Sequence, residues 1–341
     1  MNLFTPVIPE DRLHPVFRML MQSENAPERA LLGAWSDGMP DRDGKFVKEF
    51  QSTFESSLWE LYLHACLKEL GHSLDFSHVS PDFVVTEPIP FVLEATISAP
   101  ALGQPSGFGV GPPELPDDLN EFNRDAIVRI CNSFDAKVRR YRDYYCTLPH
   151  VNGRPYVIAI APFDRPAAHL AANRPIVGAL YGMYFDEEAT MAEGRNVVIR
   201  HPIDGIPKKP GVEVPVGLFA NADYKEVSAV VYGPLATWGK LRALADAPDK
   251  AMTFTTLHPN PDGLMPLMRR EIKANYVEHL VDGLYVLHNP YAAQPLSVLA
   301  FQHPRIAQYV PYGPHAVREI APDDFLLMRM IWSVTTRPSE G

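Results

Sequence analysis

The sequence predicts an α/β fold in which a mixed central β-sheet is flanked by helices. Residues 47–70 and 118–146 each repeat apolar side chains with the helical period. Between them, the runs PDFVV and FVLEAT are separated by TEPIP, and this pattern predicts a β-hairpin. The run YVIAIA at 156–161 is continuously apolar, as expected for a central strand that is buried on both faces.

Composition places this 341-residue chain among globular proteins, because 46% of its residues are apolar and only 21% are charged. The net charge of −10 argues against non-specific coating of nucleic acid, but it permits a local basic groove. The cysteines lack CxxC spacing, so we expect free thiols rather than a zinc site or a disulfide. No secretory signal and no apolar run of about 18 residues is present, so we expect a cytoplasmic protein with no membrane span.

We divide the chain into three segments. Residues 1–45 contain many prolines and turn residues and are predicted to be an irregular lead-in with one short helix. Residues 46–165 are the predicted core, including a Gly- and Pro-rich loop at 97–117 that we interpret as a functional flap or a disordered crossing. Residues 166–341 are expected to continue the same sheet as a large C-terminal elaboration, with a helix near 264–281 among its elements.

Asp82 and Glu94 are the candidate metal-binding residues. If the hairpin turn centres on Pro88, residues whose numbers sum to 176 face each other, so Asp82 lies opposite Glu94 and Val84 lies opposite Val92. Directly opposed residues have Cβ atoms roughly 4.5–5.5 Å apart on one face. Two carboxylates at that distance repel each other unless a cation lies between them, and hard oxygen ligands favour Mg²⁺ or Mn²⁺. The other face of the hairpin carries Phe83, Val85, Phe91, Leu93 and Ala95, which make a good core face.

The run PDF, followed after about ten residues by EAT, resembles the signature of the PD-(D/E)XK nuclease superfamily. The preceding WELYL helix and the following helix-strand unit match the element order of that core, so the resemblance covers 46–165, roughly a third of the chain. It implies a restriction-endonuclease-like core in which Asp82 and Glu94 hold Mg²⁺ or Mn²⁺. The implied reaction is metal-dependent hydrolysis of phosphodiester bonds in DNA, and RNA is the less expected substrate.

The sequence departs from the superfamily signature at Thr96, which stands where a lysine is expected. A threonine cannot supply the cation that orients the water or the phosphate. Some members of the superfamily place this lysine on the following helix, and here Lys137 is the candidate for that catalytic role. Family members often add an acid from the first helix, for which we favour Glu60 over Glu55 as a further metal ligand.

A short basic segment adjoins Lys137, where Arg139, Arg140 and Arg142 interleave with tyrosines. Cations mixed with aromatic rings suit phosphate contact and base stacking, so these arginines are the candidate nucleic-acid contacts. An ordinary solvated helix face would carry the same residues.

Three functions are compatible with these patterns. The leading one is a Mg²⁺-dependent nuclease. The second is a catalytically degenerate protein with the nuclease fold that binds nucleic acid or protein, which Thr96 and the net negative charge favour. The third is a scaffold or interaction protein whose carboxylates are structural. Metal binding distinguishes the first from the third, and hydrolysis distinguishes the first from the second.

Overall fold

The computed structural model of the protein describes residues 1–101, 103–104, 107, 116–194, 197–209, 211–313 and 316–333. Much of the Gly- and Pro-rich loop predicted at 97–117 therefore lies outside the described residues. Within the described ranges, none of the helices combines the length and the apolar character needed to cross a membrane.

The described α-helices, in chain order, are α1 (Pro15–Leu20), α2 (Ala26–Trp35), α3 (Phe46–Ser52), α4 (Glu55–Glu69), α5 (Leu119–Asp143), α6 (Arg174–Tyr181), α7 (Glu187–Ala192) and α8 (Trp238–Leu244). The described strands are β1 (Ser73–Leu74), β2 (Phe83–Glu87), β3 (Phe91–Ser98), β4 (Tyr156–Pro162), β5 (Met183–Phe185), β6 (Arg200–Pro202), β7 (Gly205–Lys209), β8 (Val212–Pro215), β9 (Val227–Tyr232), β10 (Met252–His258), β11 (Leu267–Ile272), β12 (Tyr285–His288), β13 (Ala307–Pro311), β14 (Val317–Ile320) and β15 (Met328–Ser333).

A central eight-stranded sheet organises the fold, with the strand order β1-β2-β3-β4-β9-β12-β13-β14. The pairs β3–β4, β4–β9 and β12–β13 are parallel, and the other neighbours are antiparallel, so the sheet is mixed. β4 is buried along its whole length, as its continuous apolar run predicted. A smaller sheet has the order β11-β10-β15, and β5–β6 and β7–β8 form two-stranded ribbons. The predicted class, a mixed central sheet flanked by helices, is confirmed.

Helices cover both faces of this sheet. One face packs against α4, and its apolar side chains include Phe83 and Leu93. The other face packs against α5, where Phe134 and Val138 cover Val84 and Val92. Alternate side chains of a strand point to opposite faces, which is why a single hairpin contributes to both cores.

The N-terminal 45 residues are more regular than the sequence prediction. Two helices, α1 and α2, occur where one was expected, and both contribute to the core through side chains such as Phe17 and Leu32. His14 caps α1 by accepting a hydrogen bond from the backbone N–H of Val16, and Pro15 occupies the first turn, where a missing N–H costs nothing. Proline density was therefore a sign of helix starts here rather than of irregular chain.

Two further helix predictions were wrong. The helix predicted over 47–70 is broken into α3 and α4, because Phe54 adopts a φ of 36°, outside the helical region, while its ring is fully buried. The helix predicted near 264–281 is replaced by strand β11 and turns. All six residues of β11 are exposed, so this edge strand shows no alternation of apolar and polar positions in the sequence.

A buried ionic cluster lies where the smaller sheet meets α8. Glu278 accepts contacts from both Lys240 and Arg329, and all three side chains are almost completely shielded from solvent. Lys240 Nζ also donates to the backbone carbonyl of Asp282 at 2.8 Å. A buried charge is tolerated only when it is paired and hydrogen-bonded, so these residues depend on one another.

Candidate functional site

The β2–β3 hairpin has the register that the sequence predicted. Val84 pairs with Val92 and Phe83 pairs with Leu93, so paired residue numbers sum to 176. Asp82 immediately precedes β2, and Glu94 lies inside β3. The register, continued by one residue, therefore places these two acids opposite each other.

The two carboxylates are linked by backbone hydrogen bonds. Asp82 Oδ2 accepts from the N–H of Ala95 at 2.7 Å, and the N–H of Asp82 lies 3.4 Å from Glu94 Oε2. Arg42 holds the chain that leads to Asp82, since its guanidinium donates to the carbonyl of Asp82 at 2.9 Å and to that of His78 at 2.6 Å. These contacts fix the positions of both acids relative to the strands.

Lys137 reaches this pair from α5. Its Nζ atom lies 2.7 Å from Glu94 Oε1, a charge-assisted hydrogen bond between groups 43 residues apart. Phe134 and Val138 anchor α5 on the sheet and so direct the Lys137 stem toward the hairpin. Burial lowers the pKa of Lys137, but Glu94 and Asp82 raise it by a larger amount, so the ammonium form is retained.

Glu60 belongs to the same electrostatic cluster, although α4 packs on the opposite face of the sheet. Burial raises the pKa of Glu60 well above its usual range, and the negative charges of Asp82 and Glu94 raise it further. The alternative acid, Glu55, is engaged elsewhere, since its carboxylate lies 3.4 Å from His14 Nε2. The structure thus brings Glu60, rather than Glu55, toward the pair.

Burial makes the ionised form of Asp82 costly. Burial, followed by repulsion from Glu94, raises the pKa of Asp82 to about 7, although Lys137 and the Ala95 N–H oppose the shift. Lys137 and the Ala95 N–H therefore do not cancel the effects of burial and of Glu94 on Asp82. Strongly perturbed pKa values of this kind cluster at functional sites.

Tyr145 is a site residue that the sequence analysis did not identify. Its buried hydroxyl hydrogen-bonds to Glu94 and to Arg140, and burial together with the charge of Glu94 raises its pKa. Tyr145 lies just beyond α5, which ends at Asp143, and begins the short 3-10 turn Tyr145–Thr147, so a helical spacing from Lys137 does not identify it.

The three predicted arginine contacts differ in their surroundings. Arg140 is exposed beside the site, with its guanidinium 4.9 Å from the ring centroid of Tyr144. Arg139 is also exposed. Arg142, in contrast, forms an ion pair with Glu226 and donates to the backbone carbonyl of Asp223 at 2.6 Å. Its guanidinium is therefore already committed to intramolecular partners.

The donor set suits a magnesium-type ion with few protein ligands. Mg²⁺ is commonly held by one or two carboxylates, with water and substrate phosphate completing its coordination. Asp82 and Glu94 supply two hard carboxylate groups, and burial together with the charge of Glu94 disfavours the ionised form of Asp82. Within the described ranges, no group of three or more His, Cys, Asp or Glu side chains is arranged to hold a metal ion. A site built only from protein ligands is therefore not present there.

Comparisons of the chain with protein-family models, with curated protein sequences and with solved structures found no match.

Proposed function

We propose that this protein is a metal-dependent nuclease that hydrolyses phosphodiester bonds, in DNA rather than RNA. One observation carries the proposal: Asp82, Glu94 and Lys137, three residues distant in sequence, form one cluster in which Lys137 Nζ lies 2.7 Å from Glu94 Oε1. Two carboxylates and one ammonium are the minimum equipment for this chemistry. The resemblance of residues 46–165 to the PD-(D/E)XK superfamily points to the same reaction.

Each residue of the cluster has a role in this proposal. Asp82 and Glu94 would hold Mg²⁺ or Mn²⁺, which when bound polarises a phosphoryl oxygen and activates water. Lys137 orients the attacking water or a phosphate oxygen and stabilises negative charge that develops there. Tyr145 holds the Glu94 carboxylate in place. Glu60 stays protonated more readily than an exposed glutamate, and in the described structure it does not complete a three-carboxylate metal group with Asp82 and Glu94.

The partner in this proposal is nucleic acid, and the acidic chain must bind it through a local surface. Arg139 and Arg140 are exposed next to the cluster and suit contacts with phosphate groups. Tyr144 supplies an exposed ring beside Arg140 on which a base can stack. We expect the protein to act in the cytoplasm, where its three free cysteines suit a reducing compartment.

Cleavage assays on single-stranded DNA, duplex DNA and RNA test the proposal. The wild-type chain should cleave DNA with Mg²⁺ or Mn²⁺ and stop when EDTA is added, and Asp82→Asn and Glu94→Gln should both be inactive. Glu87→Gln is a matched control, because Glu87 is an exposed carboxylate at the other end of β2. If folded wild-type protein cleaves none of these substrates with either metal, the nuclease hypothesis is excluded.

A second candidate is a non-catalytic binding module that keeps the same fold. The Lys137–Glu94 ion pair favours it, because the ammonium neutralises one of the two carboxylates without a metal. This candidate predicts DNA binding that is independent of metal and no cleavage. Binding without hydrolysis in the assay above would support it.

A further inference from the structure

A cavity lies on the face of the central sheet that also carries Glu94, near the edge formed by β13 and β14. It has a volume of about 1060 Å³ and is lined by residues of α6, β13 and β14 with adjoining loops, and we call it the α6 cavity. None of Asp82, Glu94 and Lys137 lines it. β3 and β13 are four strand spacings apart, or about 19 Å at roughly 4.8 Å each, so the cavity is separate from the acid cluster.

Aromatic side chains form much of the wall of the α6 cavity. The Tyr181 ring lies between those of Phe219 and Tyr309, with centroid distances of 6.2 Å and 6.0 Å. Phe185 and Tyr291 add further ring surface to the lining. Flat aromatic surfaces in a concave site favour a planar ligand, and the volume accommodates a nucleotide-sized molecule.

Three polar groups of the α6 cavity are linked by consecutive hydrogen bonds. Asn173 Nδ2 donates to the Tyr309 hydroxyl at 2.8 Å, and that hydroxyl in turn hydrogen-bonds to the Glu319 carboxylate. Tyr309 and Glu319 are paired across β13 and β14, so the sheet itself fixes this contact. The Tyr309 hydroxyl hydrogen is thereby donated to Glu319, and the Glu319 carboxylate and the side-chain carbonyl of Asn173 remain as acceptor groups in this part of the cavity.

Arg200 adds a positive charge to the lining of the cavity. Burial raises the pKa of Glu319, and the hydrogen bond from Tyr309 and the charge of Arg200 oppose that shift without cancelling it. The acceptor oxygens of Glu319 and Asn173 are complementary to N–H donors on a planar ring.

We propose that the α6 cavity binds a nucleobase whose edge presents adjacent N–H donors, as guanine does, with Glu319 as the recognising acceptor. A carboxylate can accept two hydrogen bonds in parallel, which matches two neighbouring N–H donors on one edge. Uracil has one N–H flanked by carbonyl oxygens, and these would repel the carboxylate. Adenine places a ring acceptor beside its amino group and is expected to bind less well than guanine.

Calorimetric titration of the full chain with GMP, AMP and UMP, in EDTA and without metal, tests this proposal. GMP should bind about tenfold or more tightly than UMP, with AMP between them, because a bidentate contact discriminates by that order. Glu319→Gln should weaken GMP binding by about tenfold or more, since the amide replaces one acceptor with a donor. Glu188→Gln, at an exposed position of α7 outside the cavity, should leave binding unchanged.

Equal affinity for the three nucleotides, or no GMP binding by folded wild-type protein at millimolar concentration, would overturn the proposal, and neither result depends on a variant. Unchanged GMP affinity in folded Glu319→Gln would overturn the role of that residue. Because the titration contains EDTA, its outcome is independent of whether the acid cluster binds a metal or cleaves DNA.

Discussion

Lys137 and Glu94 are joined by a 2.7 Å contact between Nζ and Oε1, although they belong to a helix and a strand that are 43 residues apart. The contact exists because α5 buries Phe134 and Val138 against the face of the sheet that also carries Glu94. A lysine stem of four methylene groups then spans the gap between the helix and the strand. The ammonium of Lys137 thus contacts Glu94, which lies two residues before Thr96 in β3.

Lys137→Ala should reduce DNA cleavage by about 100-fold or more, because a single preorganised charge at a reacting phosphate contributes that much. Mn²⁺ binding should persist, since an ammonium is not a metal ligand. Lys137→Arg should also be poorly active, because its planar fork differs from a compact ammonium. Lys48→Ala, at an exposed position of α3, is the control. Wild-type cleavage rates in Lys137→Ala would remove the residue from the mechanism.

The metal-free protein should lose stability as pH rises through about 7, the pKa to which Asp82 is raised. The folded state binds this proton more tightly than the unfolded state, so its contribution is complete below about pH 4 and is lost above the folded pKa. Asp82→Asn removes the titration. Urea unfolding in EDTA should show that this variant gains stability relative to wild type as pH increases. A constant difference between the two proteins from about pH 4 to about pH 8 would contradict the assigned pKa.

The hairpin and its register were predictable, because both are encoded locally. Two apolar runs flank a short proline-containing turn, and the length and centre of that turn fix which residues face each other. Helix α5 was predictable for a similar reason, since its apolar stripe is long and Asp118 caps it by accepting from the N–H of Glu121 at 2.8 Å. Together these two elements predicted the positions of Asp82, Glu94 and Lys137.

Features that depend on packing between distant segments were not predictable. The apolar period continues through Phe54, so nothing in the spacing signals the break between α3 and α4. β11 pairs with β10 through its backbone, while all its side chains face solvent, and apolar periodicity carries no information about such an edge strand. Tyr145 is indistinguishable in the sequence from other tyrosines, because its contact with Glu94 depends on how the turn after α5 lies beside β3.

Arg140 should contribute more to DNA binding than Arg142. The Arg142 guanidinium is already paired with Glu226, so removing the Arg142 side chain should reduce the affinity for DNA phosphate groups only slightly. Arg140, in contrast, is exposed beside the cluster. Arg140→Ala should lower the slope of the logarithm of affinity against the logarithm of salt concentration by about 1, and Arg142→Ala should change it little. Fluorescence anisotropy with labelled DNA at several salt concentrations measures both slopes. An equal loss in both variants would contradict this distinction.

Glu278→Ala should reduce the free energy of unfolding by about 3–5 kcal/mol, because it leaves Lys240 and Arg329 as buried cations without their shared partner. Glu24→Ala, which removes an exposed carboxylate, should change it by less than about 0.5 kcal/mol. Chemical denaturation followed by circular dichroism compares the two variants with wild type. A loss of similar size in both would mean that the buried cluster contributes nothing beyond an ordinary surface charge.

Calorimetric titration with Mn²⁺ tests the central claim that Asp82 and Glu94 form a metal site. Wild-type protein should bind Mn²⁺, and Asp82→Ala and Glu94→Ala should each weaken binding by about 100-fold or more, because each removes a direct carboxylate ligand. The control Glu87→Ala, from the exposed end of the same hairpin, should bind as wild type does. Unchanged Mn²⁺ affinity in both folded variants, or no Mn²⁺ binding by the folded wild-type chain, would contradict the account.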